Sequence, residues 1–324
     1  MQPLRIFSDT FLGEAAALQL VTGAAPHEIV LPPSLATSAL VRTAAPPSLS
    51  DIDIAFGQPD VASILASERL RWVHLTSAGY TRYDTAAFRA AAKARGLMVT
   101  NSSSVYAEPC AEHVFAFMLS QARRLPESLR SRFPNGSAPW GKLRHSSPLL
   151  RHQRVVILGF GGIATRLLEM LQPFDMHIVA LRREARGNEG VPVITLKELP
   201  VALAQADHVV NILPANADSD GFISAERLAQ MKPGAVLYNI GRGTTVDQMA
   251  LVEALHSGRL GAAWLDVTEP EPLPEGHPLL SAPNCFITPH VAGGHQDESG
   301  SLVRHFLFNL PRFMARQTLL DRVM

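Results

Sequence analysis

Residues 155–164 read Val155-Val156-Ile157-Leu158-Gly159-Phe160-Gly161-Gly162-Ile163-Ala164. Four consecutive apolar residues read as a short buried strand, and the Gly-x-Gly-x-x-Ala pattern that follows reads as a turn opening a helix. The first glycine permits a tight turn and the second lets the backbone approach a pyrophosphate. The third small residue lets helix and strand pack closely. A helix to about Gln172 and a second strand, His177 to Leu181, complete the context. A helix N-terminus offers N–H groups and positive partial charge to an anion. The plain alternative is a glycine-rich turn without a ligand. The strand before it and the helix and strand after it weigh against that.

Outward from this turn the same alternation continues. Strands are predicted at 208–213, 235–240, 261–266 and 285–288, with helices between and a last helix over 297–316. Toward the N-terminus, strands are predicted at Leu4–Phe7, Asp53–Phe56, Trp72–Thr76 and Leu97–Thr100. Helices are predicted at Phe11–Val21, Thr85–Ala94 and Glu108–Arg124. Strands alternating with helices imply parallel α/β sheets. Pro and Ala crowd residues 32–47, and no element is assigned there. Pro126, Pro134, Gly136, Pro139, Gly141 and Pro148 mark 126–148 as a loop.

The chain has 324 residues, enough for two domains. A hydrophobic fraction of 47% against 18% charged residues fits a large core. Twenty-nine basic and 29 acidic residues cancel, so the electrostatic footprint of a nucleic-acid binder is missing. Two cysteines, Cys110 and Cys285, cannot build a disulfide framework. Both are expected to be buried small hydrophobes, in a reducing compartment. Met1 to Asp9 lacks a signal-peptide apolar region, and no run reaches the ~18 apolar residues of a membrane span. A cytoplasmic protein without membrane contact is the expectation.

The polar residues at strand ends carry the chemistry. The strand after the glycine turn ends Leu181-Arg182-Arg183, with no carboxylate before Glu184. An acidic residue at this point reads the ribose hydroxyls of NAD, whereas paired guanidiniums suit the 2′-phosphate of NADP. A solvated charge pair is the plain alternative. Arg242, Asp266, Glu271 and His290 each fall at or just beyond a predicted strand's carboxyl end, the edge where open α/β sheets bind ligands. Gly136-x-x-x-x-Gly141-Lys142 approaches a P-loop, but Leu143 follows where a hydroxyl is needed for Mg²⁺. His290 and His295 have no third ligand at a recognised spacing, so no metal is expected.

These segments resemble the D-isomer-specific 2-hydroxyacid dehydrogenase family, in its glyoxylate/hydroxypyruvate reductase-like branch. The resemblance rests on Gly159 to Ala164, Met231-Lys232-Pro233-Gly234-Ala235, Asn239-Ile240-Gly241-Arg242-Gly243, Leu265-Asp266-Val267-Thr268-Glu269-Pro270-Glu271-Pro272-Leu273 and Thr288-Pro289-His290-Val291-Ala292-Gly293. Thr76-Ser77-Ala78-Gly79 and Asn101 to His113 add to it. It implies two doubly wound α/β lobes with a cleft between them. Residues 104–290 would form a Rossmann nucleotide-binding domain, and 1–103 with 291–324 a discontinuous, flavodoxin-like substrate domain. Arg242, Glu271 and His290 would be catalytic. Ser77, Ala78 and Gly79, with Arg242 and His290, would hold the substrate. Gly159, Phe160, Gly161, Gly162, Ile163, Arg182, Arg183, Pro214, Ile240, Gly241, Arg242, Asp266 and His290 would hold NADP, with NAD as second choice. Tyr80, Arg82, Tyr83 and Trp140 are further candidates to line the cleft.

The implied reaction moves a hydride between NAD(P)H and a small 2-keto acid or D-2-hydroxy acid. His290 would supply the proton, Glu271 favour the imidazolium, and Arg242 hold and polarise the substrate. Glu269 is the rival carboxylate, and the family register favours Glu271. His113 is expected to be packed or hydrogen-bonded. A homodimer is the expected assembly. Nothing follows residue 324, so no amino-acid-sensing domain is expected. The competing class is a dinucleotide-dependent binding or corepressor-like protein with little catalysis. A phosphonate or sugar acid as substrate is a third option, because a fold does not fix specificity.

Overall fold

The computed structural model describes residues 2–32 and 48–324. It divides into two compact units, Met1–Tyr106 with Gly294–Met324, and Ala107–Gly293. Apart from Pro32, the Pro/Ala-rich stretch 32–47 lies outside the described residues.

The first unit holds β1 (Arg5–Ser8), α1 (Glu14–Ala24), β2 (Glu28–Val30), β3 (Ile54–Gly57), α2 (Val61–Ala66), β4 (Trp72–Leu75), α3 (Ala86–Arg95) and β5 (Met98–Thr100). All five strands are parallel, in the order β2-β1-β3-β4-β5, which is the flavodoxin-like winding. β3 and β4 are buried on both faces, as strands covered by helices must be. Phe7, Ile52, Leu75, Phe88 and Val99 pack into one core. The short edge strand β2 and the six-residue α2 were not foreseen, because neither is long enough to display a period.

The chain then runs through α4 (Ser103–Ala122), α5 (Leu125–Arg130) and α6 (Ala138–His145). The stretch 126–148 is therefore not simply a loop. Its prolines misled, because Pro126 and Pro139 each stand in the first turn of a helix, where the missing N–H costs nothing. Similarly, α4 begins five residues before the predicted Glu108, with Pro109 inside it.

The second unit continues with β6 (Arg154–Leu158), α7 (Gly162–Leu171), β7 (His177–Leu181), β8 (Val193–Ile194), α8 (Leu199–Gln205), β9 (His208–Asn211), α9 (Ala225–Gln230), β10 (Ala235–Asn239), α10 (Gln248–His256), β11 (Leu260–Leu265) and β12 (Cys285–Ile287). Its seven parallel strands run β12-β11-β10-β9-β6-β7-β8. This is Rossmann winding with one added strand, and its switch point lies between β6 and β9. Leu158, Val209, Leu237, Leu251 and Leu265 centre its core. The last helix, α11 (Glu298–Met314), returns to the first unit. There Phe306 stacks on Trp72 and Phe56 at centroid distances of 5.1 and 4.7 Å. No described helix is long and apolar enough to cross a membrane.

Candidate active site

The glycine turn sits at the switch point and touches both neighbouring strands. The Gly159 N–H donates to the Leu181 carbonyl at 3.2 Å. On the other side, a Cβ at Gly159 would stand 3.3 Å from the Ile212 carbonyl oxygen. With φ at +98°, the position also lies in the left-handed region that glycine enters freely. No side chain caps α7, whose N-cap is Gly161, and a Cβ added to Gly161 would meet nothing within 4 Å. Open space therefore borders a helix N-terminus, and these residues fit a dinucleotide's pyrophosphate.

At the end of β7 the two arginines have partners that the sequence did not announce. Arg182 Nη1 donates to Glu189 Oε1 at 3.1 Å, and its guanidinium carbon lies 6.0 Å from the Phe160 ring centre. Glu189 is buried. The N–H of Arg186 holds its carboxyl below the usual range, against the opposing pull of burial. Arg183 forms an ion pair with Asp218.

The second group of polar residues is held by three loops at the carboxyl edge of β10, β11 and β12. His290 Nδ1 lies 2.7 Å from Glu271 Oε2, and Glu271 Oε1 accepts the Thr268 N–H at 2.9 Å. Glu269 instead offers its backbone to Gln248. His290 has φ of 52°, an uncommon conformation for a residue with a side chain. Asp266 fixes that conformation. Its carbonyl accepts the His290 N–H, and its buried carboxylate accepts the Val291 and Ala292 N–H groups, all at 2.9 Å. The Thr288 hydroxyl adds a bond of 2.6 Å.

Arg242 follows β10 and is half-buried, with Nη1 donating to the Gly241 carbonyl at 2.6 Å. Burial pulls its pKa down from the ordinary value, and the Glu271 carboxylate opposes that. Gly243 allows the approach: a Cβ there would sit 2.0 Å from the Thr268 backbone. Arg242, Glu271, His290 and Asp266 are thus brought together on one edge of the second unit. Pro214 lies in the loop after β9, where its carbonyl accepts the Ser219 hydroxyl. Ile240 and Gly241 pack beside the same loop, with the Leu213 carbonyl 2.6 Å from a Cβ on Gly241.

Several other sequence candidates find structural partners. His113 Nε2 meets the Thr288 hydroxyl at 3.2 Å. Burial lowers its pKa, and Asp266, at 3.7 Å, opposes the shift. His295 bonds Ser301 at 3.1 Å. Cys110 is buried, whereas Cys285 is only half-buried because it stands on the edge strand. Burial pushes both thiols up to about 12. No group of three or more His, Cys, Asp or Glu residues that could hold a metal occurs among the described residues.

On the first unit, Ser77, Ala78 and Gly79 form the turn after β4. Gln58, which sequence reasoning missed, donates to the Thr76 and Ser77 hydroxyls at 3.1 and 2.9 Å and accepts from Arg82. Its own N–H donates to Asp9 Oδ1 at 2.9 Å. Ala78 is tied further by Asn101, whose Nδ2 donates to its carbonyl at 2.6 Å.

A Rossmann unit with this turn and a flavodoxin-like unit in the same chain define a dinucleotide-dependent α/β class. Within it, residues 115–292 match the family described as D-isomer specific 2-hydroxyacid dehydrogenase, NAD binding domain, and the chain belongs to that family. It is 35% identical over 202 residues to a mouse protein, glyoxylate reductase/hydroxypyruvate reductase. That match covers 61% of this chain and 61% of the relative, which is less than two thirds of its length. It is 34% identical over 244 residues to glyoxylate/hydroxypyruvate reductase B of Pectobacterium atrosepticum, covering 72% of this chain and 73% of that one. A solved structure of an NADPH-dependent glyoxylate/hydroxypyruvate reductase from Sinorhizobium meliloti, in complex with NADP and malonate, is 26% identical. It covers 99% of this chain and 97% of that chain, with a TM-score of 0.72.

Proposed function

We propose that this chain is an oxidoreductase that reduces small 2-keto acids to D-2-hydroxy acids with NADPH, using NADH less well. The observation that carries the reading is the 2.7 Å contact between His290 and Glu271, on the same edge as the half-buried Arg242. The named activities of the relatives above support it.

Glu271 accepts a hydrogen bond from Nδ1–H of His290, which fixes the ring and leaves Nε2 as the working nitrogen. His290 delivers a proton from Nε2 to the ketone oxygen and takes it back in the reverse direction. Arg242 pairs with the substrate carboxylate and stabilises negative charge developing on the ketone oxygen. Ser77, Ala78 and Gly79 offer backbone N–H groups to the carboxylate. Asp266 acts from below by fixing the backbone that carries His290. Gly159 to Ile163 receive the pyrophosphate at the start of α7, and Arg182 and Arg183 receive the 2′-phosphate. Pro214, Ile240 and Gly241 border the same crevice. When bound, the nicotinamide supplies or accepts the hydride. The protein is a cytoplasmic homodimer in this reading, and its two free thiols fit a reducing compartment.

The test is a panel of glyoxylate, hydroxypyruvate, pyruvate and bulkier 2-keto acids with each reduced cofactor, following cofactor oxidation. Turnover of at least one acid, faster with NADPH, is the expected result. No turnover with any acid, alongside tight dinucleotide binding, would replace this reading with a binding protein.

A further inference from the structure

Arg182 and Arg183 are neighbours in sequence with unlike surroundings. Arg182 is fixed from two sides, by Phe160 of the glycine turn and by Glu189, itself anchored to a backbone N–H. Its side chain is 18% exposed and that of Glu189 only 3%. Arg183 is 79% exposed and its partner Asp218 is 74% exposed. Asp218 belongs to the loop after β9. Strands β7 and β9 lie on either side of β6, and the turn after β6 contacts both, at Leu181 and Ile212. The Arg183–Asp218 pair therefore joins the two loops that border the glycine turn.

We propose that Asp218 is a specificity-determining residue, an internal carboxylate that holds Arg183 until the 2′-phosphate of NADP takes its place. The proposal rests on the reading that this chain takes NADP through Arg182 and Arg183. An ion pair exposed on both sides is weak in water. A phosphate accepts from the guanidinium fork through several oxygens at once, so it wins the exchange. Asp218 makes that exchange less favourable, because its bond to the guanidinium must be given up before the phosphate can take it. The ribose of NAD carries no such anion and leaves the pair intact. Asp218 therefore weakens NADP binding selectively, and the preference is smaller than two free arginines would give.

The experiment titrates the full chain with 2′,5′-ADP and with 5′-AMP, which differ only in the 2′-phosphate. Binding is read by calorimetry, so turnover plays no part. The unmodified chain should bind 2′,5′-ADP more tightly than 5′-AMP, and Arg182→Ala should lose most of that difference. Asp218→Asn should tighten 2′,5′-ADP by about three- to fivefold and leave 5′-AMP unchanged. In an Arg183→Ala background the same substitution should have no effect. The backbone N–H of residue 218 donates to Asn216 Oδ1, a bond the variant keeps. No tightening, equal tightening of both nucleotides, or a gain that persists without Arg183 would overturn the proposal alone. No preference for 2′,5′-ADP in the unmodified chain, with Arg182→Ala silent, would overturn the NADP reading and this proposal together.

Discussion

The turn after β6 in the second unit is shaped by its backbone, whereas the turn after β4 in the first is held by side chains. Gly159 is required by a positive φ and by the Ile212 carbonyl at its back, and Gly243 by the Thr268 backbone against it. In the first unit, Gln58 ties Thr76, Ser77, Arg82 and Asp9 together through its amide and backbone N–H. Backbone constraints admit few residue types and mark the sequence at fixed spacing. A side-chain network can be built from many residue types at positions far apart in the chain, and it leaves no such mark. The largest effects of substitution should therefore fall on the second unit's edge and the smaller ones on the first.

The largest should come from His290→Ala. Removing a positioned acid lowers kcat by roughly 10²–10⁴-fold, while the dissociation constant of NADPH should barely move. A variant retaining most of its turnover would take His290 out of the mechanism and remove the main contrast between the two edges.

Arg242→Ala should follow. It removes a charge-assisted partner of the substrate carboxylate, worth about 1.5–3 kcal/mol. The ratio kcat/KM for keto acids should then fall by roughly ten- to a hundredfold, with cofactor KM little changed. A smaller loss would mean that Arg242 does not meet the substrate.

How far these residues could be read in advance follows from the same contrast. The strands around Val155–Leu158 and His177–Leu181 were legible because apolar runs and glycines are local signals. That Arg242, Glu271 and His290 stand at strand ends was legible in the same way, and a family register suggests the roles proposed for them. Glu189, Asp218 and Gln58 were not legible, because each acts by meeting a partner across a loop or between strands. The helices at Leu125–Arg130 and Ala138–His145 were hidden by prolines that open them.

Acid should test the interiors of both units at once. His208 bonds the Tyr238 hydroxyl at 3.0 Å and meets Gln153, and burial pushes its pKa down to about 4, with Asp207 opposing. In the first unit, burial and the neighbouring His305 push His74 well below its ordinary value, with Asp321 opposing. A folded pKa below the unfolded one favours the neutral ring. This stability is complete above about pH 6.5 and is lost as pH falls toward the folded pKa. For His208 the loss is at most about 3 kcal/mol. Denaturant unfolding between pH 8 and pH 4 should show it, and His208→Asn should flatten the second unit's share. Trp72 reports on the first unit, and Trp140 and Trp264 on the second. An acid slope that His208→Asn leaves unchanged would assign the sensitivity elsewhere.

The smallest effect on keto-acid turnover should come from Gln58→Met. The two side chains have similar length, so the buried site stays filled, but the amide's bonds to Thr76, Ser77 and Arg82 are lost. The Ser77 hydroxyl keeps its bond to the Gly79 carbonyl at 2.5 Å, so the turn loosens without unfolding. A net loss of about 1–2 kcal/mol is expected for such a network. If the Ser77–Gly79 turn holds the substrate carboxylate, that loss enters as a rise in keto-acid KM of about five- to thirtyfold. The KM for NADPH should stay put, because Arg182 and the glycine turn belong to the other unit. Equal shifts in both KM values would show that the first unit's edge does not act on the substrate separately from the cofactor. An unchanged keto-acid KM would show that its side-chain network is structural only, leaving substrate recognition to Arg242 and His290.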